Sequence, residues 1–479
     1  MQSGFKSSLN FSETITSLDW IVFSLVAAIT VLAVVYGHLK KKKTPLDAGA
    51  TVIDFLLMGR QLTLPMFVGT LVATWYGGIF GVTEIAFSKG IYNFITQGLF
   101  WYIAYIIFAL FIVRRVKRYE AVTLPDLVGS MFGPRSARLS GVFNFFNVLP
   151  VSYVISLGLF LQTIVGWSFF QSMSFGVALV VLYSVGGGLR AVVFSDLVQF
   201  FVMCSGVAII LLLSVSNFGG LNFLTQSLPA EHFSLTGGEG LSTTLVWGFI
   251  ALSTLVDPNF YQRVFAAQST RVARNGILVS TLIWFCFDIC TTFGAMYARA
   301  VIPAAEPGVA YLVYALQLLP DGVRGFVLAG ILATILSTLD SYMFLAGSTL
   351  SYDLAPTKLK GSVALHYAGI VFVAVLSVAL ALVFDGSIKS VWKTLGSYSA
   401  SCLLLPVLYG YIFPGRISDK QFVFACLIGV VGTTYWRNFR PDGFLSEVDE
   451  LYFGIVCTTV GLLSYRLIFQ KRETIELAE

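Results

Sequence analysis

The stretch STLVDPNF, residues 253–260, interrupts an apolar segment near 243–265 with an aspartate and a proline. Pro258 removes a backbone donor and clashes with the preceding turn, so a helix cannot run through it unbroken. A second interruption lies far upstream. The segment near 64–87 contains ATWYGG, residues 73–78, and adjacent glycines weaken a helix while allowing close backbone approach. With an extra first span set aside, these two segments open two consecutive sets of five. The topology below runs them in opposite directions. Matching broken helices in inverted halves predict a transporter whose site lies near the bilayer midplane. The carbonyls freed by each break are tolerated where they line a cavity, and there they can hold a cation.

The rest of the chain supports a membrane reading. Of 479 residues, 57% are hydrophobic and 11% charged, against about 25% charged in a typical soluble domain. Apolar runs recur that are long enough for a hydrocarbon core of roughly 30 Å. Thirteen spans are expected, near 18–39, 64–87, 90–113, 138–166, 173–188, 191–215, 243–265, 275–302, 323–350, 362–384, 391–413, 421–436 and 451–468. The first is read as a retained helix rather than a cleavable signal, because Lys40–Lys43 follow it and no basic region closely precedes it. With the N-terminus outside, inner segments carry 22 Lys and Arg and outer ones eight. That bias sets the N-terminus outside and the C-terminus inside. The chain is expected to be one transmembrane domain over 1–479. It divides into an extra helix at 18–39, repeats at 64–215 and 243–413, and two peripheral helices at 421–468. Asn10–Ser12 forms a glycosylation-type triplet on the outer side, and the loop at 216–242 is Gly/Ser-rich. The six cysteines fall in apolar runs without metal spacing and read as packing residues.

The polar groups inside the apolar runs are the candidates for chemistry. Asp196, Asp257, Asp288 and Asp340 lie well within spans, and Glu84 nearer an outer end. An intramembrane charge costs about 2.5–3.5 kcal/mol on insertion scales. No Lys or Arg is read as lying deep in a span, which leaves a bound cation or a proton to satisfy these carboxylates. In ILATILSTLDSYMF, residues 331–344, Thr334, Ser337, Thr338 and Ser341 recur at helical spacing and share a face, with Asp340 beside them. Hydroxyl and carbonyl oxygens with one carboxylate are hard ligands, suited to sodium or proton-linked sites and not to soft metals. The glycines at 186–188 lack the Lys and Ser/Thr of a phosphate loop and read as a tight inner turn.

Four stretches in order, DFLLMGR at 54–60, GGLRAVVFSDLVQFF at 187–201, DPNFYQRVFAAQS at 257–269 and ATILSTLDS at 333–341, make the chain resemble the sodium:solute symporter family over nearly its whole length. The resemblance implies an all-α, LeuT-like fold of two inverted five-helix repeats with peripheral helices. It also implies solute import driven by sodium as the coupling ion. The main sodium site then falls on the carbonyls of Leu71, Thr74 and Thr334 and the hydroxyls of Ser337 and Thr338. A second cation site, held by some members, falls on Asp196, Asp340 and Ser341. The solute is expected between the two breaks, near Trp75, Tyr76, Gly77, Gly78, Asn144, Asn147, Asp257, Asn259, Asp288, Ser397 and Tyr398. Sugar-type members carry a glutamine near the Gly78 position, and its absence here argues against a sugar.

The functional expectation is a sodium-coupled symporter that imports a small organic solute by alternating access. It has no other cofactor and no nucleic-acid partner, and it sits in the plasma membrane, in a bacterial inner membrane by its lack of appended domains. The rival readings are a proton-coupled or sodium-independent transporter of the same fold, and a transporter-like sensor acting with a separate partner. No nucleophile–base pair or catalytic metal set suggests an enzyme.

Overall fold

The structure is a computed structural model and describes residues 5–6, 14–40, 48–184, 188–441 and 448–465. Lys41–Lys43, the Asn10–Ser12 triplet, Gly186, Gly187 and the chain beyond Tyr465 lie outside the described residues, so the expectations placed on them are not addressed. Among the described residues the chain is helical, with an isolated parallel bridge between Leu62 and Ala267.

The principal helices are α1 (Ser17–Leu39), α2 (Leu64–Ala73), α3 (Ile79–Lys89), α4 (Phe94–Val116), α5 (Pro134–Val165), α6 (Phe169–Ser184), α7 (Gly188–Phe218), α8 (Leu241–Leu252), α9 (Pro258–Ala266), α10 (Thr270–Val301), α11 (Val323–Asp353), α12 (Val363–Val383), α13 (Ile388–Ile412), α14 (Asp419–Phe439) and α15 (Glu450–Tyr465). Taking α8–α9 as one segment, nine stretches among the described residues are long and apolar enough to cross a membrane.

Both breaks appear where the local sequence demands them, and each is built differently. Between α2 and α3 the chain leaves the helix at Thr74 and resumes after Gly78. Gly77 is pressed against α11: a Cβ there would lie 2.6 Å from the Cβ of Thr338. Between α8 and α9 a short 3₁₀ turn, Ser253–Val256, ends at Asp257. The Asp257 carboxylate caps α9 by accepting from the backbone N–H of Asn259 (2.9 Å) and Phe260 (3.2 Å). Pro258 sits at the first helical position, where its missing N–H costs nothing.

The two broken segments lie at the centre. The α7 helix packs along α1, α2, α10 and α11, and α10 packs along α2 and α3. Two sequence motifs meet near the ends of α2 and α7. Arg190 donates to Asp54 at 2.7 Å, and both side chains are nearly buried. Beside them, the segment before α2 pairs with the segment after α9: Leu62 N–H donates to the Ala266 carbonyl, and Gln268 N–H to the Leu62 carbonyl. At the opposite ends, the 216–242 loop folds back onto α3. His232 is buried, its Nε2 is 3.1 Å from the Phe87 carbonyl oxygen, and Lys89 pairs with Glu239 at 2.9 Å.

Candidate functional site

Where α2 breaks, its last carbonyls face α11. The Ser337 hydroxyl lies 2.7 Å from the Ala73 carbonyl oxygen and the Thr338 hydroxyl 3.3 Å from it. Both hydroxyls also reach the Thr334 carbonyl, at 3.3 and 3.2 Å. Thr334, Ser337 and Thr338 are fully buried. The Thr74 hydroxyl turns back to the carbonyls of Thr70 (2.8 Å) and Leu71 (3.4 Å), and Asn259 of α9 donates to the Thr74 hydroxyl at 3.1 Å. Hydroxyl and carbonyl oxygens from α2 and α11 therefore converge in a water-poor interior. Ala73, absent from the expected set, presents the α2 carbonyl that both α11 hydroxyls reach. It lies one residue before Thr74, a register difference that spacing alone does not resolve.

A second group of polar side chains lies nearby, and it corrects one expectation. Arg263, counted from the sequence with an inner loop, is fully buried. Its guanidinium donates to the hydroxyls of Ser341 (2.9 Å) and Thr70 (3.3 Å) and to Gln262 (2.8 Å), and stands 3.9 Å from the Asp196 carboxylate. A cation from the chain itself thus sits among the carboxylates read from sequence as lacking one. Asp196 accepts from the Thr70 hydroxyl, and its other oxygen has no hydrogen-bond partner among the described residues. Asp340 accepts from the Ser184 hydroxyl of α6. Asp196 and Ser341 therefore share one guanidinium, while Asp340 engages a different helix.

Between the two breaks lies a cavity of about 140 Å³. That is close to the roughly 150 Å³ of an engineered cavity that accepts benzene, so a small solute suits it in this conformation. Of the expected lining residues, Trp75, Tyr76, Gly78, Asn147 and Asp257 border it. The other expected residues are placed elsewhere by their partners. Gly77 packs on Thr338. Asn144 donates to Thr349 at 2.7 Å, and Asn259 bonds Thr74. Asp288 accepts from the hydroxyls of Tyr76 and Tyr102, which ties α10 to the first break and to α4. Ser397 is buried off the cavity, and Tyr398 bonds Thr434 of α14 at 2.8 Å.

The cavity also takes in residues that sequence reasoning missed: Gln97 and Trp101 of α4, Ser152 and Tyr153 of α5, Trp247 and Thr254 at the second break, Tyr342 of α11, and Trp392 of α13. The α13 contribution is Val391, Trp392, Leu395 and Gly396, one helical face by its spacing. Ser397 lies off that face, whereas Tyr398, seven residues on from Val391, shares its side but engages Thr434 instead of the cavity. Polar residues drew attention to them, whereas the helix presents a tryptophan. The buried amide nitrogen of Gln97 and the hydroxyl of Thr254 have no hydrogen-bond partner among the described residues.

Two broken helices with an oxygen-lined junction and a cavity between them define a LeuT-type ion-coupled transporter. A solved structure of a Na⁺-coupled sialic acid symporter in a substrate-bound outward-open state superposes with a TM-score of 0.76 at 16% identity, covering 95% of this chain and 98% of that one. A nucleobase–cation symporter superposes with a TM-score of 0.57 at 12% identity, covering 86% and 93%. The sodium:solute symporter family profile matches residues 55–429, and the chain belongs to that family. It is 23% identical to the sodium/pantothenate symporter of Escherichia coli, over 92% of this chain and 96% of that protein. It is 22% identical to a high-affinity proline transporter of Bacillus subtilis, over 86% and 91%. It is also 23% identical to a sodium/glucose cotransporter of Vibrio parahaemolyticus, over 94% and 90%. The membership agrees with the resemblance carried by the four sequence motifs, and it makes the chain a multi-pass membrane transporter rather than a member of an enzyme family.

Proposed function

We propose that the chain imports a small organic solute together with one sodium ion, held where the break of α2 meets α11. The ion's ligands in this reading are the carbonyls of Ala73 and Thr334 and the hydroxyls of Ser337 and Thr338. Leu71 and Thr74 supply the alternative register. The observation that carries the reading is the convergence of the Ser337 and Thr338 hydroxyls on the Ala73 carbonyl across two helices. A sodium ion inserted there would replace those hydrogen bonds with ion–oxygen contacts and tie α11 to broken α2. The solute occupies the cavity beside the junction, so order imposed on Trp75, Tyr76 and Gly78 by the ion reaches the solute directly. Coupling is reciprocal: sodium tightens solute binding by the factor by which solute tightens sodium.

The second cation position expected at Asp196, Asp340 and Ser341 is better served by Arg263. Its guanidinium already reaches Ser341 and lies near Asp196, which supports one sodium per cycle. The whole of 1–479 acts as one transport domain of two inverted repeats, 64–215 and 243–413, with the flanking helices peripheral. The N-terminus lies outside and the C-terminus inside, as the distribution of Lys and Arg favours. The bacterial relatives support a bacterial inner membrane. With that orientation the membrane potential drives sodium inward, at about 2.3 kcal/mol per charge for each ~100 mV.

The test is thermal unfolding of the purified protein in NaCl against KCl and choline chloride at equal ionic strength. A ligand of the folded state raises its stability. The natural chain is expected to unfold at a higher temperature in NaCl, and Ser337→Ala to lose that difference. A natural chain indifferent to sodium would overturn the assignment.

A further inference from the structure

Near the ends of α4 and α10 the chain gathers five cationic side chains, Arg114, Lys117, Arg118, Arg271 and Arg274. They surround a cavity of about 610 Å³ whose remaining lining residue is Thr270. No carboxylate borders it, and none of the five joins an ion pair among the described residues. Thr270 is the first residue of the 32-residue α10, so the positive end of that helix adds to the field. Like charges held this closely repel one another. Burial, and then the neighbouring Arg60, push the Lys117 ammonium down to about 8.

The surroundings say what kind of anion fits. Away from the cavity, α4 and α10 present exposed apolar side chains, among them Ile106, Leu110 and Phe111 on one and Leu282 and Phe285 on the other. Phe111 and Leu282 are 57% and 65% exposed, as expected of side chains meeting acyl chains. A basic pocket at the end of two lipid-facing helices matches a phosphate that arrives with its own hydrocarbon.

We propose that this cavity binds the phosphate of an anionic phospholipid of the inner leaflet, and that the bound lipid steadies the pairing between the lead-in to α2 and the chain leaving α9. The link to that pairing is direct. Lys117 donates to the Ala267 carbonyl at 2.9 Å. Ala267 is flanked by Ala266 and Gln268, which pair with Leu62 ahead of α2. A phosphate beside Lys117 offsets the cationic repulsion next to the pairing of the lead-in to α2 with the chain leaving α9. The assignment to the inner leaflet rests on the orientation proposed above, and binding itself does not.

The experiment is thermal unfolding of the detergent-purified chain on titration with dioleoyl phosphatidylglycerol, dioleoyl phosphatidylcholine or inorganic phosphate. Phosphatidylglycerol is expected to raise the midpoint of the natural chain where phosphatidylcholine does not. The quadruple variant Arg114→Gln, Arg118→Gln, Arg271→Gln, Arg274→Gln should need about ten-fold more lipid or beyond for the same shift. It should keep its response to sodium, which separates this proposal from the sodium assignment. A double variant elsewhere on the basic side, Arg138→Gln with Lys358→Gln, should respond to lipid as the natural chain does. Should the quadruple variant fail to fold, the pair Arg118→Gln with Arg271→Gln is read in the same way. Equal shifts from the two lipids, or an undiminished phosphatidylglycerol response in the variants, would overturn the proposal. A full shift from inorganic phosphate alone would overturn the lipid as its source.

Discussion

A methyl group added at Gly78 would stand 2.1 Å from the ring of Trp392, too close for any real contact. The double glycine of the first break thus serves packing as well as backbone freedom: Gly77 admits Thr338 of α11, and Gly78 admits the tryptophan that walls the cavity. Overpacking of this kind costs about 1–3 kcal/mol. Gly78→Ala is expected to lower the unfolding temperature and abolish sodium-dependent solute uptake, and the added pair Trp392→Phe should restore part of the stability. Equal stability of the single variant and the natural chain would show that the ring moves freely. Arg263 is the second decisive residue. Removing one partner of a buried charge pair costs about 3–5 kcal/mol, so Arg263→Gln should be strongly destabilised in KCl. In NaCl it should recover part of that loss, because a sodium ion can then take the place of the guanidinium beside Asp196. Recovery that is equal in potassium would remove the case for Arg263 as a built-in cation.

At the scale of elements, the two breaks use different chemistry for one purpose. The first leaves a helix at Thr74 and restarts it after a double glycine, Gly77 and Gly78. The second begins one with a capping aspartate followed by proline. The Asp257 carboxylate borders the cavity yet is already engaged by two N–H groups of α9. Loss of such a cap costs about 0.5–2 kcal/mol. Asp257→Ala should therefore lower thermal stability, while Asp257→Asn, which keeps a capping oxygen, should lower it much less. Solute uptake by the Asn variant close to the natural rate would assign Asp257 to the helix end. Uptake abolished at preserved stability would assign its charge to the solute. The same scale explains the misplaced face of α13. Helical periodicity says which residues share a face but not which neighbour each side chain reaches: Tyr398 shares a side with Val391 and Leu395 yet bonds Thr434, and the choice of Ser397 and Tyr398 over Trp392 followed polarity where packing decided.

For the whole molecule, a single sodium site predicts a simple saturation law. Solute uptake should depend on sodium with a Hill coefficient near one, and the charge carried per neutral solute should be one. A sigmoidal sodium dependence in the natural chain would require the second site and leave Arg263 with a purely structural part.

The sequence alone determined that the chain is a helical membrane protein, that two of its helices break at related places, and that the hydroxyls of Thr334, Ser337 and Thr338 share one helical face. These signals are local, since hydrophobic run length, Gly-Gly, Pro and the three- to four-residue spacing of hydroxyls act within a single helix. The tertiary structure decided what depends on distance between helices. It brought Ser337 and Thr338 to the carbonyl of Ala73. It carried Arg263 from the end of its helix to Asp196 of another repeat, and it turned Trp392 rather than Tyr398 toward the cavity. A long side chain at a helix end looks like a loop residue when counted along the chain. Only the packing of neighbouring helices fixes whether its charge reaches water or a buried carboxylate.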